Sequence, residues 1–382
     1  MKKTKTARLS GASTSPAPNV STGGPSVSPV PNVQNSSPAP AIADAREPIK
    51  IDLGLQGGGS HGAFTWGVLD RLLEEEWLEI DAISGTSAGA MNATALVAGY
   101  HEAGRAGAKA SLDRLWSAVG RAAAFSPLRR GPLDILLGRW TLDSSPAFLA
   151  IDSIARLISP YDINPLGINP LTSVLAEAVD FRSLAQAKQR LYVTATNVRT
   201  GRGRVFRNDE ITPDVLLASA CLPNLFQAVE IDGEPYWDGG YAGNPTITPL
   251  VRDPGAADDF VLVAINPVER PGTPRTATEI ANRLNEISFN ATVIKELRMI
   301  ALLKSAGVTE GEGGRWGCLR VHIVSSPVMI ELGHSSKLNA EWAFLTFLKG
   351  KGREAAEAFL AESAGNIGKR STADLDMLLH GV

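Results

Sequence analysis

Two cysteines in 382 residues, Cys221 and Cys318, exclude a disulfide framework and a thiolate metal site. No apolar run reaches the roughly 18 residues that would read as a membrane span. An excess of one charge is missing too. With 37 Lys and Arg against 40 Asp and Glu, the formal net charge is −3, which gives no basic balance for nucleic acid and no acidic solvating tail. No histidine or carboxylate cluster has metal-ligand spacing, so neither a metal nor a cofactor is expected. The first 46 residues lack an apolar signal-peptide core: "MKKTKTARLS" leads into "GASTSPAPNVSTGGPSVSPVPNVQNSSPAPAIA". A segment so rich in Ser, Pro, Gly and Asn cannot bury enough surface to offset its ordering entropy, and residues 1–46 are expected to be a disordered tail. The expected location is cytoplasmic.

What the chain does contain is an α/β pattern from residue 47 to 382. "IKIDLGLQ" is a short buried strand bounded by glycines, and "GAFTWGVLDRLLEEE" carries a helical stripe at Phe64, Val68, Leu69, Leu72 and Leu73. "IDAISG" and "SAGAMNATALVAGYHEAG" repeat the strand–helix alternation, which implies right-handed βαβ units and a parallel sheet covered by helices. Residues 105–180 are apolar, helical in pattern and broken by Pro and Gly, as expected of an insertion or cap packed over the sheet. The core, about 49–250, resumes with "RLYVTATNV", a hairpin-like turn and "RVFRN". "DFVLVAINPV" and "LRVHIVSS" are later strands, and about 275–382 is expected to be mainly helical.

Gly57, Gly59 and Gly62 fit G-x-G-x-x-G, the spacing of a dinucleotide-binding loop. A Rossmann reading, however, needs an acidic residue at the far end of the second strand to meet the ribose. Asp81 stands at the near end, and the far end is Gly85-Thr86-Ser87-Ala88-Gly89, a G-x-S-x-G match. A nucleophile on a sharp strand-to-helix turn needs glycines two positions either side, and the helix dipole there favours negative charge. Ser87 is therefore read as a nucleophile rather than a helix cap.

Its base is less plain. A Ser-His-Asp triad requires one of His61, His101, His322, His334 or His380, and only His334, in "ELGHSS", lies in a comfortable late loop. A partly desolvated carboxylate can also serve, because burial raises its pKa. Asp238, followed by Gly239 and Gly240, is such a carboxylate or else an ordinary Asp-Gly hairpin turn.

The three pieces together resemble the patatin-like phospholipases, serine acyl hydrolases with a Ser–Asp dyad. That family carries G-G-G-x-[RK]-G, G-x-S-x-G and D-G-[GA] in order. Here they are Gly57-Gly58-Gly59-Ser60-His61-Gly62, then Gly85 to Gly89, then Asp238-Gly239-Gly240, with "ASACLPNLFQAVEIDG" similar to the segment upstream of the family aspartate. The resemblance implies a three-layer α/β/α sandwich with a mostly parallel central sheet. It implies Ser87 as nucleophile, Asp238 as general base, and the Gly58 and Gly59 N–H groups as oxyanion hole. It also implies a lipid or other acyl-ester substrate, with transient contact at a lipid surface. His61 departs from the pattern, since the family has Arg or Lys there, and it is the candidate for touching substrate. Ser60 and Asn92 read more simply as loop and helix-surface residues. Two rivals to the dyad hydrolase stand: an α/β-hydrolase-type esterase with a triad histidine, and a non-catalytic lipid-binding protein.

Overall fold

The computed structural model describes residues 46–379; the Ser/Pro-rich segment before them and His380 lie outside the described residues. The strands are β1 (Ile49–Leu55), β2 (Leu78–Gly85), β3 (Arg190–Asn197), β4 (Gly203–Arg207), β5 (Val229–Ile231), β6 (Glu234–Trp237), β7 (Asp259–Val263) and β8 (Arg320–Val324). They form one sheet in the order β5-β6-β3-β2-β1-β7-β8, with β4 beside β3. The run β3-β2-β1-β7-β8 is parallel, and β4, β5 and β6 are antiparallel additions at one side. Period-2 alternation sends Leu53, Val193 and Val261 to one buried cluster, and Tyr192, Phe260 and Leu262 to another.

Helices fill both faces. In chain order they are α1 (Gly62–Leu72), α2 (Ala88–Ala123), α3 (Pro132–Leu136), α4 (Pro146–Leu157), α5 (Pro160–Ile163), α6 (Leu171–Ala178), α7 (Pro213–Ser219), α8 (Thr248–Arg252), α9 (Ala277–Ser305), α10 (Gly311–Cys318), α11 (Val328–Glu331) and α12 (Trp342–Ser363). Leu96, Leu112 and Leu345, from α2 and α12, join the first cluster, and Val293, Leu297 and Trp316, from α9 and α10, the second. The protein is thus an α/β/α sandwich on a mostly parallel sheet. The chain builds outward from β1 through β2 to β3, then returns to β1's other side with β7 and β8. The point where strand order reverses lies between β1 and β7, and ligands of open α/β sheets bind at the carboxyl ends of such strands.

Two sequence expectations need revision. The Asp-Gly hairpin turn exists, but it is Asp232-Gly233 between β5 and β6, both with positive φ, whereas Asp238 follows β6. The apolar runs between 125 and 168, expected to pack over the sheet, largely face outward. Thirteen of the 23 exposed large apolar side chains among the described residues fall there. Prolines and glycines cut this stretch into α3, α4 and α5, of 5, 12 and 4 residues, too short to cover one another.

Candidate active site

Ser87 occupies the turn between β2 and α2 with φ 54° and ψ −123°, one of two non-glycine residues with positive φ among those described. Such strain persists only where surrounding bonds over-determine it. Here the Ser87 N–H donates to Ser219 Oγ at 2.9 Å, and that hydroxyl donates to the Thr194 carbonyl at 2.7 Å. On the other side Thr86 Oγ1 donates to the Gly243 carbonyl at 2.7 Å. The serine is 8% exposed, at the amino end of a 36-residue helix kinked at Ala103 and Gly104.

Asp238 opens the short turn Gly239–Tyr241. Its N–H donates to the Cys221 carbonyl at 2.8 Å, its carbonyl accepts from Thr196 Oγ1 at 2.8 Å, and its Oδ1 accepts the Gly240 N–H at 2.7 Å. The side chain is buried. Burial pushes its pKa up to about 7, against the pull of the Gly240 N–H, the Ser87 side chain and the charge of Lys337. The Ser87 side chain is thus among the groups that act on the Asp238 carboxyl.

The glycine loop leaves β1 at the strand-order reversal, and amide side chains fix it. Asn244 Oδ1 accepts the Gly57 N–H at 2.6 Å, and Asn266 Nδ2 donates to the Gly57 carbonyl at 2.7 Å. Gln56 Oε1 accepts the N–H groups of Ile265 and Asn266, which follow β7, at 2.9 and 3.0 Å. Gly58 and Gly59 come next, half-buried and exposed, and among the described residues their N–H groups find no acceptor. Gly59 has φ 58°, and a Cβ there would lie 2.4 Å from the Lys337 carbonyl, so no larger residue fits. Gly62 closes the loop, its carbonyl accepting from Asn92 Nδ2 at 3.0 Å. Asn92 is fully buried and also accepts from Trp116 Nε1 at 2.9 Å, so it ties α2 to the loop rather than lying on the helix surface.

The histidines go elsewhere. His61 is 1% exposed, its Nε2 is 2.7 Å from Ser336 Oγ, and its ring meets Phe344 edge-on. Burial and the neighbouring Lys337 hold its pKa well below the usual range, so it is neutral. It braces the loop against the 334–338 turn instead of facing open space. His334 is likewise held down, to about 4, by burial and Lys337. His322 lies in β8 between Asp259 and Thr372, and His101 is on the exposed surface of α2. Among the described residues no histidine is hydrogen-bonded to Ser87.

The loop does have a cation, contributed by a distant segment. Lys337, half-buried, donates from Nζ to Asn266 Oδ1 at 2.8 Å and has no carboxylate within 4 Å among the described residues. Burial lowers its pKa to about 8, while the charges of Glu286 and Asp238 act to raise it and Arg270 to lower it. Sequence reasoning missed Lys337, Asn244, Asn266 and Gln56. Ser219 alone carried a signal, sitting within the "ASACLPN" segment.

A family described as Patatin-like phospholipase matches residues 53–251, just over half of the chain. Among solved structures, VipD from Legionella pneumophila aligns at 15% identity over 83% of this chain and 67% of that one, with a TM-score of 0.36. A chain from the complex of full-length SpcU with full-length ExoU of the Pseudomonas aeruginosa type III secretion system aligns at 18% identity, with a TM-score of 0.29. The alignment covers 82% of this chain and 53% of the other, so this chain spans about half of that protein's length.

Proposed function

We propose that this chain, which belongs to the patatin-like phospholipase family, hydrolyses the ester bonds of lipids with Ser87 as nucleophile and Asp238 as general base. The observation that carries this reading is the buried Asp238 carboxyl, whose pKa the Ser87 side chain helps to lower, beside a loop whose Gly58 and Gly59 N–H groups find no acceptor among the described residues. Ser87 Oγ attacks the ester carbonyl carbon while its proton passes to Asp238. The tetrahedral oxyanion takes the N–H groups of Gly58 and Gly59, donors worth about 3–4 kcal/mol each in comparable sites. Collapse breaks the bond to the alcohol, which leaves with the proton from Asp238. A water then gives Asp238 a proton and attacks the acyl-Ser87 carbonyl, and collapse releases the acid as Asp238 returns that proton to Ser87 Oγ. A base with a pKa near 7 suits this cycle, because it is ionised yet basic at neutral pH.

The test is covalent. A fluorophosphonate probe should label the folded wild type, and Ser87→Ala should abolish labelling. An unlabelled wild type would sink the hydrolase reading. A triad reading would return if His334→Ala lost turnover while Asp238→Asn kept it.

Lys337 makes the pH profile informative. Activity needs Asp238 ionised, so kcat/KM should climb as pH rises through about 7. It should fall again above about 8, as the Lys337 ammonium beside the loop loses its proton. Lys337→Met should remove that upper limb and move the lower limb to higher pH, because the cation that helps ionise Asp238 is gone. An upper limb that survives unchanged in Lys337→Met assigns it to another group.

A further inference from the structure

The outward-facing apolar stretch between 125 and 168 borders the site on two sides. At one end Leu142 N–H donates to Ser335 Oγ at 3.0 Å, and Asn339 Nδ2 donates to the Trp140 carbonyl at 3.0 Å. This is the turn whose next residue, Ser336, contacts His61 of the glycine loop. At the other end Gln227 Nε2 donates to the Asn164 carbonyl at 2.6 Å, and the Ala228 N–H donates to Tyr161 Oη at 3.2 Å. Those residues belong to the segment that runs from Cys221, the backbone partner of Asp238, into β5. The stretch is therefore anchored to the oxyanion-loop side and to the Asp238 side alike.

Most of its large apolar side chains are exposed. Phe125, Leu136, Leu157 and Leu166 are 94, 82, 85 and 83% exposed. On α4 the apolar residues divide, Phe148 turning inward while Leu149, Ile154 and Leu157 share the outer face. So many exposed large apolar side chains along one stretch mark an interaction surface. Its charge narrows the partner: Asp134 is buried and Arg130 pairs with Glu341, which leaves Arg129 and Arg139 against Asp143 and Asp162 as the exposed charged side chains among the described residues here. A polybasic dock for an anionic membrane would show a surplus of cations, which is absent. A neutral rim with protruding aliphatic side chains matches a lipid surface without net charge, into which such side chains sink by several ångströms.

We propose that the 125–168 stretch is the docking face by which the protein seats its active site on an electrically neutral lipid surface. The proposal rests on the lipid-ester reading above and deepens it. Docking there would place lipid between the two loops that flank Ser87, so that an ester need travel only a short way out of the layer.

The full chain, mixed with phosphatidylcholine vesicles and floated through a density gradient, tests it. The wild type should float with the vesicles equally at low and at high salt, since apolar insertion is not screened. The combined variant Leu136→Ser, Leu157→Ser and Leu166→Ser should lose at least about tenfold in partition coefficient. A control at the exposed far end of α9, Met299→Ser with Leu302→Ser, should float like wild type. Failure of the wild type to float, release by salt, or equal flotation of the triple variant overturns the proposal. So does a dimer on size exclusion that the triple variant dissolves, which would make the face a contact between copies. The wild-type salt series needs no variant and decides even if the triple variant misfolds. Fluorophosphonate labelling of the same samples separates the two hypotheses: labelled protein that ignores vesicles removes the dock alone, whereas unlabelled protein removes the hydrolase.

Discussion

Ser87→Ala and Asp238→Asn should each reduce turnover by about 10⁴-fold or more, as removal of a nucleophile or of its base does in serine hydrolases, yet the two variants should part on stability. The Asp238 carboxyl has a pKa of about 7 in the folded protein, against an ordinary value of 3.8. The native state therefore holds a proton that the unfolded chain releases between about pH 4 and pH 7. Over that window rising pH draws stability out of the wild type, by up to about 4 kcal/mol at 1.36 kcal/mol per pKa unit. Asparagine has no proton to lose, and its Oδ1 can still accept the Gly240 N–H. Asp238→Asn should thus match wild type near pH 4 and exceed it by roughly 2–4 kcal/mol above pH 7. Ser87→Ala keeps the carboxyl and should show no such gain. Denaturant unfolding at pH 5 and pH 8 reads the difference, and a gap that fails to widen with pH means that Asp238 is not a desolvated base.

Gly89→Ala should be as costly to the fold as those changes are to turnover. A Cβ at Gly89 would lie 2.1 Å from the carbonyl oxygen of Leu55 and 2.8 Å from that of Gln56. Neither can retreat: Leu55 ends a strand paired on both sides, and the Gln56 side chain is bonded to residues after β7. The helix would have to lift off the sheet, at a cost of about 4 kcal/mol or more. Gly350→Ala is the matched control. It lies within α12 with nothing within 4 Å of its missing Cβ, and alanine there should stabilise by about 0.5–1 kcal/mol. A thermal shift that separates the two glycines confirms that the elbow position, and not glycine content, sets the loss.

The parts legible in sequence were those written in short range. β1, the elbow and α1 each rest on a few neighbouring residues whose pattern is local, and the structure has them where the pattern put them. Lys337, Asn244 and Asn266 could not be read that way, because sheet topology alone carries them to Gly57 and Gly59 from as far as 278 positions along the chain (337 to 59). His61 illustrates the same limit. Its departure from the family's Arg or Lys at that motif position made it the candidate for touching substrate, but its partner Ser336 is 275 residues distant. For the stretch at 125–168, periodicity identified apolar faces without saying what covers them, since burial depends on what else the fold can bring there.

The position of β7 has a consequence for synthesis. All three motifs lie within residues 53–251, yet β7 begins at Asp259 and forms the second border of β1, and the turn that backs the glycine loop lies at 334–338. A ribosome that has released only the first 251 residues has produced Ser87, Asp238 and the glycine loop with a raw strand edge beside them. The site acquires its floor, and its cation, only when nearly nine-tenths of the chain is out. The proposed site is therefore assembled late, after β7 and the 334–338 turn have joined β1 and the glycine loop.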